Sequence, residues 1–187
     1  MAVYRADNAA DFATAVHSIY THQTVKPDEI IIVVDGPIPD ELEATLKELK
    51  RQIDVIKFVR FKQHRGHAAA RQAGLEAASN ELVAIMDADD ISVPDRFEKQ
   101  LAAFDHHPEA AVVGGQIKEF IDSTDNVVGE RIVPLGDVDI KRYLRSRCPM
   151  NLVTVMYRKQ AVEAVGGFMD WYCEEDYYLW VRLAEAG

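Results

Sequence analysis

The sequence is poor in the residues that staple a chain, cross a bilayer or grip a polyanion. Only two of its 187 residues are cysteine, Cys148 and Cys173, with no CxxC spacing; that argues against a disulfide framework or a structural zinc site and for the reducing cytoplasm. The longest aliphatic run, Ile30 to Val34, is far too short to span a membrane, and no signal-peptide pattern follows Met1. Basic residues are in deficit, 21 Lys and Arg against 31 Asp and Glu, for a formal net charge of −10. No nucleic-acid partner is expected of such a chain. A small anionic ligand is still compatible, because a few placed cations or a metal reverse the local sign.

What is present is a globular composition, 48% hydrophobic and 28% charged, in which strand and helix patterns alternate. Ala9 to Thr21 reads as a helix with Phe12, Val16 and Ile19 on one face. Ile30 to Val34 reads as a strand buried on both faces. Pro39 to Arg51 reads as a helix on Leu42, Leu46 and Leu49, Val55 to Phe61 as a strand, Ala68 to Ala78 as a helix, and Leu82 to Met86 as a strand. Pro94 suits the first turn of a helix carrying Phe97, Leu101 and Phe104. This order predicts a Rossmann-like, mostly parallel sheet with helices on both faces. Beyond it, Ala111 to Ile121 and Val127 to Val133 look like strands around a turn at Asp122 to Asn126. A helix at Asp137 to Ser146, a strand at Leu152 to Tyr157, a short helix to Val165, a break at Gly166-Gly167 and a final acidic, aromatic helix follow. We read one domain, with a ligand-binding half at about 1–110 and a less regular half at about 111–187.

Four constellations carry chemistry. Leu82 to Met86 runs into Asp87-Ala88-Asp89-Asp90. Ligands of open α/β sheets bind beyond the carboxyl ends of strands, and a continuing strand would send Asp87 and Asp89 to one side. Two adjacent carboxylates repel unless a cation separates them, and Mg²⁺ or Mn²⁺ with oxygen ligands meets that need; the plain alternative is a solvated acidic turn. Gly66 opens the helix of Arg71 after His64, a place suited to an anion, though an exposed helical Arg is usually only solvated. Asp35, ending a buried strand before Gly36-Pro37, is a base or ribose contact or a turn residue. In Glu174-Glu175-Asp176, beside Trp171, Tyr177, Tyr178 and Trp180, one acid is a general base or all three complement a helix dipole.

In their order and spacing these stretches resemble family 2 glycosyltransferases of the GT-A fold. The resemblance rests on Ser18 to Thr24, Glu29 to Gly36, Gly66 to Leu75, Ile85 to Asp90, Val165 to Phe168 and Glu175 to Leu183. It implies inverting transfer of a hexose-like sugar from a nucleoside-diphosphate donor to a saccharide or lipid-linked saccharide acceptor, as in surface polysaccharide synthesis. By that resemblance Val3, Tyr4, Asp35, His64, Arg71, Asp87 and Ala88 bind the nucleotide sugar. Asp89 and Asp87, in the DXD form, hold Mn²⁺ or Mg²⁺, and Asp176 is the base with Glu175 in support. His64 and Gln72 stand where the family commonly has Asn, and Asp35 where it often has two acids. The opening strand is nearly absent, so the chain reads as shortened at both ends, and peripheral association with the inner face of the membrane through missing segments is compatible with it. A sugar-nucleotide nucleotidylyltransferase is the alternative enzyme, but no Gly-rich, lysine-bearing loop stands near the first strand. A nucleotide-binding domain without catalysis is the other alternative.

Overall fold

A β-branched run with no polar interruption needs cover on both faces, and Ile30–Val34 obtains it as the middle strand of a parallel sheet. The computed structural model describes residues 1–171 and 174–187, so Tyr172 and Cys173 of the aromatic, acidic constellation lie outside the described residues. The elements run β1 (Ala2–Val3), α1 (Ala9–Ile19), β2 (Ile30–Val34), α2 (Asp40–Gln52), β3 (Ile56–Arg60), α3 (His67–Ala77), β4 (Leu82–Ala84) and α4 (Arg96–His106). They continue as β5 (Val112–Val113), β6 (Ile117–Ile121), β7 (Ser123–Arg131), α5 (Asp137–Tyr143), β8 (Met156–Arg158), α6 (Lys159–Ala164) and α7 (Glu175–Ala186).

β2 pairs in parallel with β1 (Ala2↔Val33, Val3↔Val34) and with β3 (Ile30↔Ile56 to Val34↔Arg60). Ile30, Ile32 and Val34 enter a core with Phe12 and Val16 of α1 and Leu42, Leu46 and Leu49 of α2. Val33 is covered by α3, which packs against it at Gly74. α1 starts at Asn8, whose side chain accepts from the N–H of Ala10 (2.8 Å) and of Asp11 (3.1 Å), a cap worth about 1 kcal/mol. α2 carries Asp40, Glu41 and Glu43 in its first turn and Lys50 and Arg51 in its last, which suits the helix dipole at both ends.

The second half follows a different plan. β8 lies between β4 and β5, antiparallel to both, and β6–β7 is a separate hairpin. Among the described residues parallel pairing is therefore confined to β1–β3, and no ladder joins them to β4. A second core gathers Leu75 of α3, Tyr157 of β8, Val162 of α6, Phe168, and Leu179 and Trp180 of α7. Among the described residues no helix is long and apolar enough to cross a membrane.

Several expected boundaries move. β4 ends at Ala84 instead of Met86. Ala111 to Ile121 splits into β5 and β6, because the backbone at Gly115 turns away to Thr154, whose Oγ1 accepts its N–H at 2.8 Å. The expected Asp122–Asn126 turn contracts to Asp122 at φ 63°, and Ser123 to Asn126 join β7. Leu152 to Thr154 forms a 3₁₀ turn in place of a strand, bound by Thr154 N–H to Asn151 O at 2.9 Å. Pro94 stays outside α4, its carbonyl accepting the Thr24 N–H at 2.9 Å.

Candidate active site

The carboxyl ends of β1, β2 and β4 face one cavity of about 660 Å³, lined by Tyr4, Asp35, His64, Arg71, Asp87 and Asp89, with Val3 and Ala88. That is where sheets of this kind take ligands. The cavity also runs between the parallel strands and β4, reaching Ile31 and Val83. The eight expected donor-side residues come from five sequence stretches, at the ends of β1, β2 and β4, in the loop before α3 and on α3 itself, and all eight line this one space.

Asp35 is buried, and both its carboxylate oxygens are engaged by the loop that opens α3. Oδ1 accepts the Arg65 N–H at 2.6 Å and Oδ2 the Gly66 N–H at 2.9 Å, while His64 Nδ1 lies 2.8 Å from Oδ2. Gly36 makes the approach possible: at φ 88° a Cβ would sit 2.6 Å from the His64 backbone nitrogen. The His64 ring lies 5.8 Å from that of Tyr4, tilted by 32°. Asp35 thus sets the shape of the loop, and Tyr4 and His64 present ring surfaces to the cavity.

Arg71 is not the solvated helical Arg of the plain alternative. Its side chain is 14% exposed, its Nη1 donates to Glu175 Oε1 at the start of α7, and its Nη2 lies 3.6 Å from Asp87 Oδ1. One guanidinium therefore joins α3, the β4 end and α7. A second tie runs parallel to it: Gln72 Oε1 accepts the Phe168 N–H at 2.9 Å. Gly167, at φ 69°, passes so close that a Cβ would lie 2.2 Å from that oxygen.

The chain bends at Ala88–Asp89, so the strand does not continue through the acids as the alternation argument assumed. The sidedness survives nevertheless. Met86 and Ala88 turn into the core, the Asp87 side chain is 41% exposed, and Asp89 is exposed without an ion pair or hydrogen bond among the described residues. Two neighbours escaped the sequence reading. Asp7, whose Oδ2 accepts the Tyr4 N–H at 2.8 Å, lines the same cavity; burial raises its pKa, and the charges of Asp89 and Asp87 push the same way. Its signal was an acid just past the opening strand. Arg96 is buried beneath the cluster, donating through Nη2 to Ile85 O at 2.8 Å and Val155 O at 3.2 Å. Burial lowers its pKa to about 10, against the pull of Asp87 and Asp90. An Arg in the first turn of the helix after an acidic cluster was the available sign.

Asp90 is half-buried, and burial, with the charges of Asp87 and Asp89, pushes its pKa from 3.8 up to about 6. An acid whose folded pKa is raised binds a proton more readily when folded, so stability rises as pH falls from about 6 to 3.8. Above that window the native state carries an ionised carboxylate that burial, and then the Asp87 and Asp89 charges, disfavour. Asp90→Asn is therefore expected to stabilise the protein at pH above 6, by about 1 kcal/mol once solvent screening is allowed for, with the gain fading as pH falls from about 6 and gone below 3.8. Thermal melts in chelator across this range measure it; a pH-independent gain would mean that the Asp90 charge is not its source.

Asp87 and Asp89 offer hard oxygen donors, but among the described residues no group of three or more His, Cys, Asp or Glu is placed to hold a metal. Two carboxylates and no more fit Mg²⁺ or Mn²⁺, which complete their shells with water and substrate phosphate. Glu175 and Asp176 stand outside the cavity lining. Asp176 is half-buried in the first turn of α7, and the Cys148 thiol donates weakly to its Oδ2 at 3.8 Å. The thiol pKa is raised, chiefly by burial, with the Asp176 charge adding to it. Tyr177 anchors the same turn through its hydroxyl to Leu144 O at 2.6 Å, and Trp171 stacks on Tyr178 at 4.6 Å.

The sequence pattern of glycosyl transferase family 2 matches residues 1–166. The chain is 39% identical over its whole length to an uncharacterized glycosyltransferase of Haemophilus influenzae, covering 68% of that protein. It is 32% identical to the amylovoran biosynthesis glycosyltransferase AmsE of Erwinia amylovora, covering 69%. It is 31% identical to the Escherichia coli UDP-Gal:alpha-D-GlcNAc-diphosphoundecaprenol beta-1,3-galactosyltransferase, covering 67%. Among solved structures, the Pyrobaculum calidifontis mannosyltransferase in complex with GDP-Man and Mn²⁺ superposes on all of this chain with TM-score 0.73 at 18% identity. Staphylococcus aureus TarS with UDP-GlcNAc covers 98% of it with TM-score 0.70 at 18% identity. The chain spans about half the length of both, 51% and 52%, and the shared fold is of the GT-A type.

Proposed function

Since the chain belongs to glycosyl transferase family 2, we propose that it moves a sugar, with inversion, from a nucleoside-diphosphate donor to an acceptor hydroxyl. The observation that carries this is the Arg71 guanidinium, held between Asp87 of the donor cavity and Glu175, next to Asp176, on α7. It couples the place where a diphosphate would depart to the place where an acceptor proton would be taken.

In this reading the base and ribose lie against Tyr4 and His64, with Asp35 keeping the loop in shape, and the diphosphate lies toward Arg71. Asp87 and Asp89 would hold the divalent ion, whose chemistry when bound is to neutralise the leaving diphosphate as a Lewis acid. Asp176 Oδ accepts the acceptor hydroxyl proton as that oxygen attacks the anomeric carbon from the face opposite the diphosphate. A single displacement of this kind has an oxocarbenium-like transition state and needs one base only. Glu175, buried and paired, is a positioning residue for Arg71. The solved relatives' complexes with GDP-Man and Mn²⁺ and with UDP-GlcNAc support the donor class. The names of the amylovoran and diphosphoundecaprenol-linked relatives support a role in surface polysaccharide assembly on a lipid-linked acceptor.

Calorimetric titration of UDP- and GDP-sugars with and without Mn²⁺ tests the reading. Binding of one nucleotide class at least tenfold tighter with the ion is expected, since two carboxylates and a diphosphate share it. Absence of any metal-dependent nucleotide binding would sink the proposal.

A further inference from the structure

We infer that the segment from Arg131 to Arg147 is a docking surface for an anionic lipid bilayer. Within it Ile132, Leu135 and Val138 are 70%, 86% and 69% exposed, three large aliphatic side chains in seven residues. The inward side of α5 is already used, since Ile140 and Leu144 pack against the second core. Val138 is thus left on the outer side, with Arg142 one turn further along it. An exposed apolar group of this kind marks a surface that meets something other than water.

The charge says what that partner is. The segment has five basic residues, Arg131, Lys141, Arg142, Arg145 and Arg147, against two acids, Asp137 and Asp139, in a chain of net charge −10. Lys141 and Arg142 pair with those two acids at 3.2 and 3.1 Å. Arg145 and Arg147 are exposed in the turn after α5 and have no carboxylate partner among the described residues. Two cations without a carboxylate partner among the described residues therefore follow the aliphatic residues, seven and nine positions after Val138, in a molecule otherwise repelled by negative surfaces. Aliphatic side chains at the headgroup boundary with arginines at the phosphates are the chemistry of interfacial binding. A second copy is a poor occupant, because a two-fold contact through this face would set the same arginines against each other.

The test is cosedimentation of the full chain with vesicles of phosphatidylcholine containing about one third phosphatidylserine, beside pure phosphatidylcholine. Binding is expected to the anionic vesicles only and to fall with salt. Arg145→Gln with Arg147→Gln, and separately Leu135→Ser with Val138→Ser, should each lower it by about tenfold or more. All four positions are exposed, so unchanged circular dichroism and melting temperature verify the variants. Equal binding to neutral vesicles, or none to either, overturns the inference. So does a dimer in sedimentation velocity that Leu135→Ser disperses while vesicle binding is absent. No nucleotide is needed, so the outcome is independent of the donor titration.

Discussion

Asp176→Asn is expected to lower the rate of sugar transfer at least a hundredfold, and by as much as about ten-thousandfold, while donor affinity stays within about twofold. The amide has the carboxylate's shape but cannot accept the acceptor proton in the transition state. Its surroundings tolerate the change: Asp176 is half-buried, among the described residues its carboxylate accepts only the weak donation from Cys148, and it stands outside the donor cavity. Turnover with a saturating donor, set beside the calorimetric donor constant, separates the two quantities. A donor affinity that falls with the rate would move Asp176 to the donor side; an unchanged rate would place the base elsewhere.

Arg71→Ala is expected to destabilise the fold by about 3–5 kcal/mol, because it leaves Glu175 buried without its cation. In a chain of this size that lowers the melting temperature by roughly 10 °C. Arg71→Ala combined with Glu175→Gln should recover much of the loss, since a neutral amide tolerates burial that a lone carboxylate does not. Donor affinity should stay weak in both variants, because only the stability loss is repaired. A melting temperature for the single variant equal to wild type would show that Arg71 is not the partner that makes the buried acid tolerable.

The acidic cluster illustrates how far local pattern reaches. Three acids after an apolar strand point to a ligand end of a sheet whatever the strand's partners, and the structure puts Asp87 and Asp89 on the cavity. The assumption that the strand continues through them fails, because the pairing with β8 ends at Ala84↔Met156, followed by Ile85 N–H to the O of Val155 just before β8. The outward pair is preserved by what Met86 and Ala88 do, both being drawn into the core. Glu175 and Asp176 were harder to separate. Adjacent acids in a helix's first turn look alike in sequence, and only the packing of α3 against α7 decides that one is paired and buried and the other half-exposed.

From the sequence alone came the alternating order of strands and helices through Ala84, the two-sided burial of Ile30–Val34, and the motif order that identifies the family. These depend on residue period and spacing, which are local and survive any arrangement of the elements. The tertiary structure decided that Asp35 spends its oxygens on the His64–Gly66 loop, that parallel pairing stops at β1–β3, and that Arg71 meets a carboxylate 104 positions away. Each of these is a choice of partner between distant segments. A side chain's type limits which partners can satisfy it, but only the packing of α3, the β4 end and α7 brings one within hydrogen-bonding reach.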